Sequence, residues 1–131
     1  MLAGMAAVLA AAGLAWLGFY LHNVNDLPGQ TVLSPETLYP TLVTVTLVTL
    51  WIWRPVRVTT WLLFGWTALH LFLGGMVTVL PLPVLPFDPE QTVEHYTFHV
   101  VYTLTQVPLF VLLGQRWRAG RFARCADRPR P

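Results

Sequence analysis

The chain contains no lysine and a single cysteine, Cys125. One thiol can close no internal disulfide and form no CxxC redox or metal motif. Charge of either sign is scarce. Only 11% of the 131 residues are charged, against roughly 25% in an ordinary soluble domain. Phosphate-binding glycine loops, nucleotide motifs and nucleophile–base constellations are missing too, so catalysis of the soluble-enzyme type is not expected. The first apolar block holds no acid, and the chain has no cysteine pair.

What is present is apolar. Hydrophobic residues make up 55% of the chain and the mean hydropathy is +0.56. A bilayer span needs about 20 apolar residues at a rise of about 1.5 Å each. Four blocks approach that length: Leu2 to about Leu21, Glu36 to about Trp53, Val58 to about Leu80, and Thr92 to about Gly114. The expected fold is all-α, an integral membrane bundle of four transmembrane helices, followed by a basic tail over 116–131. The first block lacks a basic n-region and stays apolar beyond Ala10-Ala11-Ala12, so it reads as a retained span and not as a cleaved signal peptide.

Charge sets the expected orientation. All eight basic residues are arginines: Arg54 and Arg57 between the second and third blocks, and Arg116, Arg118, Arg121, Arg124, Arg128 and Arg130 after the fourth. Asp26, Glu36, Asp88, Glu90 and Glu94 belong to the other two connections, and only Asp127 joins the arginine side. Basic residues stay cytoplasmic during insertion. Both termini are therefore expected in the cytoplasm, with the 22–35 and 81–91 loops extracytoplasmic. The bias toward Ala, Leu, Val, Pro and Arg without Lys suggests a GC-rich bacterial genome, hence the cytoplasmic membrane. The arginine tail reads as a topology signal attracted to anionic headgroups, and no nucleic-acid partner is expected.

Two outer loops end alike. Ser34-Pro35-Glu36 and Asp88-Pro89-Glu90 each combine a cap residue, a proline for the first helical position and an acid for the first turn. Both are expected to start helices. Ala3, Ala7, Ala11 and Ala15 recur every fourth residue, a spacing that lets helix backbones approach closely in lipid. This face is expected to bind another span, a second copy or a protein partner. Thr41, Thr44, Thr46 and Thr49 spread around the second block and are expected to bond preceding carbonyls. Pro108 predicts a kink in the fourth.

All four histidines fall in or near the outer half of a span. His95 and His99 share a helix face, and the polar stripe runs Thr92, His95, His99, Tyr102, Gln106. Such side chains avoid acyl chains, so the stripe is expected to face the interior or a partner. Several chemistries fit. A copper or zinc ion can be held by His22, Glu94, His95 and His99. A haem b can sit between His70 and His99, which lie at similar depths, with Tyr102 and Gln106 nearby. A quinone or proton relay can use His70, His99, Tyr102 and Gln106. The alternative is hydrogen bonding that fixes helix register. The expected roles are an accessory or assembly subunit of a larger membrane complex, a histidine-based cofactor binder, or a small transporter.

Overall fold

A computed structural model describes the backbone of residues 2–126 and the side chains of 3–119. The side chains of Cys125 and of the arginines from Arg121 onward lie outside the described part. Four helices account for the order: α1 (Leu2–Asp26), α2 (Pro35–Trp53), α3 (Arg57–Ala68), which continues as a π-helical segment (Leu69–Val77), and α4 (Val93–Ala126). No strand occurs among the described residues.

Three of these are long and apolar enough to cross a membrane: Ala3–Asp26, Arg57–Val77 and Val93–Ala119. Helix α2 has 19 residues and would extend about 28 Å. It is not among the three candidate spans.

Contacts run α1 on α2, α2 on α3, α3 on α4 and, most extensively, α4 back on α1. The register of the α1–α4 pair reads directly from its contacts. Arg116 lies against Gly4, Gln106 bonds Ala15, Thr105 packs on Gly18, and His99 and His95 meet His22 and Asp26. As one number climbs the other falls, so the two helices are antiparallel. All four helices contribute to a core of Val8, Ala11, Ala12, Ala15, Trp51, Leu63, Leu109 and Leu113. Ala11 and Ala15 are thus used inside the chain, while Ala3 and Ala7 stay exposed.

Helix ends differ from the expectation in instructive ways. Ser34 does precede α2, with Pro35 at its start, but its hydroxyl accepts the Thr31 N–H instead of capping. Asp88-Pro89-Glu90 starts no helix. The segment up to Thr92 is non-helical, and the Thr92 hydroxyl accepts the His95 N–H as the cap of α4. Four prolines between Pro81 and Pro89 remove donors and restrict the preceding residues, which keeps that stretch irregular. Helix α4 runs through Pro108 without interruption and extends past 116, so the first part of the expected tail is helical. Thr41 and Thr44 bond the Thr37 and Pro40 carbonyls as expected, and also accept the indole N–H groups of Trp16 and Trp66.

The π segment shapes the surface that meets α4. The Thr78 N–H reaches back to the Leu73 carbonyl, an i→i−5 bond. Such wide turns often occur at functional sites. Gly74 and Gly75 make the approach of α4 possible: a Cβ on Gly74 would lie 2.7 Å from the Tyr102 hydroxyl, and one on Gly75 would lie 2.5 Å from Thr103 Oγ1.

Candidate metal centre

Helix α1 does not stop at Leu21. It continues to Asp26, ahead of the Pro28-Gly29 turn. That extra turn places His22 and Asp26 four residues apart on one face. Antiparallel packing then sets them against His95 and His99, another pair four apart on α4.

Four side chains converge. His22 Nε2 lies 3.0 Å from Asp26 Oδ2, and His95 Nδ1 lies 2.9 Å from the same oxygen. His99 Nε2 lies 3.6 Å from it and 3.0 Å from His22 Nε2. The ligating atoms of His22, Asp26 and His99 all lie within 4.8 Å of one another. Donors on a tetrahedral zinc ion, with bonds of about 2.0–2.2 Å, are separated by about 3.3 Å. The three separations here straddle that value.

The neighbouring hydrogen bonds fix which nitrogen of each ring faces inward. His99 Nδ1 is 3.1 Å from the Gly75 carbonyl oxygen, which can only accept. Gly75 lies in the last turn of the π segment, where carbonyls lack intrahelical partners. His22 Nδ1 is 3.2 Å from Asn23 Oδ1. The Asn23 amide is itself oriented, because its Nδ2 donates to the Glu36 carbonyl at 3.2 Å and to Thr37 Oγ1 at 3.1 Å. Both rings therefore donate through Nδ1, and in the neutral form each presents an Nε2 lone pair to the other and to a carboxylate. Metal-bound histidines are held by this kind of outer bond.

An open pocket of about 480 Å³ adjoins the cluster. Phe19, Leu27, Phe87, Asp88, Glu90 and Tyr102 are among its walls. His95 contributes too, and its Nε2 is buried with no hydrogen-bond partner.

The other candidates are placed as follows. Glu94 is exposed and absent from the cluster. It precedes His95 on α4, and adjacent helical residues point about 100° apart. His70 and His99 are engaged separately. His70 Nδ1 is 2.5 Å from the Tyr102 hydroxyl, and its ring packs on Trp66 and Phe19. His70 is thus level with Tyr102, about one turn deeper than His99. Gln106 is buried and donates to the Ala15 carbonyl at 2.9 Å. Both His70 and Gln106 line a small cavity of about 20 Å³ together with Thr44 and Thr67, enough for about one water. Sequence reasoning missed Asp26 and Asn23. The available signal was helical: His22 and Asp26 are four apart, and the breaker comes only at Pro28-Gly29.

Comparisons with family models, with curated proteins and with solved structures give no match.

Proposed function

We propose that this chain is a four-span integral membrane protein that binds one divalent transition-metal ion of the zinc class at its extracytoplasmic mouth. His22 Nε2, His99 Nε2 and an Asp26 oxygen are the ligands. One observation carries the reading: two imidazole lone pairs and a carboxylate oxygen face each other at 3.0–3.6 Å, with both Nδ1–H groups already committed elsewhere. Lone pairs so arranged repel unless a cation lies between them. Borderline nitrogen donors with one carboxylate suit zinc, and three protein ligands leave a position open. That position adjoins the pocket, and His95 steadies Asp26 by donating to it.

Membrane insertion of all four helices is supported by the apolar residues on their outer faces. On α2 these include Leu42, Val43, Val45, Leu50 and Ile52. Exposure of this extent is costly in water and neutral in lipid. Orientation is supported by the separation of arginines from acids, and the composition favours a bacterial cytoplasmic membrane. Exposed Ala3 and Ala7 offer a small-residue face on α1, which supports a place beside a partner in a larger membrane complex.

The competing occupant of the cluster is a proton, which turns one ring into an imidazolium and ties it to Asp26. The test is elemental analysis of detergent-purified protein after dialysis against zinc. One zinc per chain, abolished in Asp26→Asn and His99→Ala, supports the ion. Absence of bound zinc in the wild-type protein supports the proton and contradicts the proposal.

A further inference from the structure

The opposite end of the molecule holds a second open pocket, of about 460 Å³, lined by Trp51, Arg57, Thr60, Arg116 and Trp117 among others. Its wall includes two arginines from different helices. The Arg116 guanidinium carbon sits 5.0 Å from the centre of the Trp51 ring. A guanidinium held over an aromatic ring by a cation–π contact can still donate through its N–H groups. Trp51 is itself fixed: it is buried, and its indole N–H donates to Thr60 Oγ1 at 3.1 Å. Thr60 in turn bonds the Val56 carbonyl.

Arg57 begins α3, whose N-cap residue Val56 makes no side-chain cap. The positive end of that helix therefore adds to the two arginines. No carboxylate among the described residues offsets this charge. Asp26, Glu36, Asp88, Glu90 and Glu94 all belong to the end that carries the histidines. Depth identifies the surroundings. Arg116 follows His99 by 17 positions on one continuous helix, about 26 Å along the axis. That is close to the roughly 30 Å of a hydrocarbon core. The pocket thus lies at the headgroup level of one leaflet when the histidine cluster lies near that of the other.

We infer that this pocket is a binding site for the phosphate of an anionic lipid headgroup, held by the N–H forks of Arg57 and Arg116 with Trp51 and Trp117 at the glycerol level. Planar guanidinium groups suit bidentate contact with phosphate oxygens. The same chemistry accepts free phosphate, but the setting at the interface commits the site to lipid.

The full chain is reconstituted in nanodiscs of equimolar phosphatidylglycerol and phosphatidylcholine, released, and weighed with its retained lipids by native mass spectrometry. Each charge-assisted contact between a pocket arginine and the headgroup phosphate is worth at least roughly a fivefold preference. The expected result is retention of phosphatidylglycerol in preference to phosphatidylcholine, falling about 25-fold in Arg57→Gln/Arg116→Gln and unchanged in Arg118→Gln, whose side chain is exposed and off the pocket wall. Arg57→Gln alone, at an exposed position, gives a roughly fivefold fall and guards against misfolding of the double variant. Equal retention in wild type and double variant overturns the assignment, as does an equal fall in Arg118→Gln. A parallel sample in neutral detergent with millimolar inorganic phosphate separates the sources: phosphate that displaces the lipid and remains bound itself also overturns it.

Discussion

The Nε2 atoms of His22 and His99 lie 3.0 Å apart although 77 residues separate them in the chain. Each ring is held from behind, one by the Asn23 amide oxygen and the other by the Gly75 carbonyl. The arrangement exists because α1 and α4 are antiparallel and because each carries a polar pair at a spacing of four. Its consequences can be tested residue by residue.

Ligand removal comes first. His22→Ala, His99→Ala and Asp26→Asn are each expected to abolish zinc retention, measured by competition with a chromophoric chelator. Glu94→Gln is expected to bind as the wild type does, since Glu94 is exposed and outside the cluster.

Asn23 tests the outer support without touching a ligand. Its amide orients the His22 ring and bridges to Glu36 and Thr37 on α2. Asn23→Ala should weaken zinc binding by about 10–100-fold, the usual effect of losing an outer-shell partner. The same chelator titration reads it.

Gln106 tests register. Its buried amide donates from α4 to the Ala15 carbonyl on α1. Gln106→Met keeps the bulk and removes the donor. The expected loss is about 0.6 kcal/mol, with roughly 1.7 as an upper bound, measured by reversible unfolding in mixed micelles.

Two glycines on α1 separate packing from helix propensity. Thr105 occupies the space where a Gly18 side chain would go, whereas nothing lies within 4 Å of the corresponding point at Gly13. Gly18→Val should overpack the α1–α4 contact and cost about 1–3 kcal/mol. Gly13→Ala should be neutral or stabilise by about 0.5–1 kcal/mol through helix propensity alone. The same unfolding assay distinguishes them.

Orientation is checked by labelling. With Cys125→Ser in place, a cysteine at position 88 is expected to react with a membrane-impermeant maleimide added to intact cells. Labelling only after cell lysis would reverse the assignment of sides.

Much of the fold was legible because each of the four helices coincides broadly with a long apolar block of the sequence. The polar stripe was legible in part: His99, Tyr102 and Gln106 are buried and His95 is half-buried, whereas Thr92 at its outer end is exposed. Helix ends were less legible. Hydropathy places the end of the first block at Leu21, but the helix persists for one more polar turn, and that turn carries Asp26. Asn23 was invisible for a similar reason, since its partners on α2 are set by tertiary packing. Glu94 was chosen for its closeness in sequence to His95, yet neighbours on a helix diverge. The π segment left no pattern to read, because a shift of one hydrogen bond changes no residue type.

The central claim is that two imidazole nitrogens and one carboxylate oxygen meet on a single ion. Zinc K-edge X-ray absorption of the zinc-loaded wild-type protein measures this most directly. The predicted spectrum contains two imidazole shells and oxygen at about 2.0–2.2 Å, reduced to one imidazole in His99→Ala. A spectrum without imidazole scattering, or one unchanged by that substitution, would contradict the account.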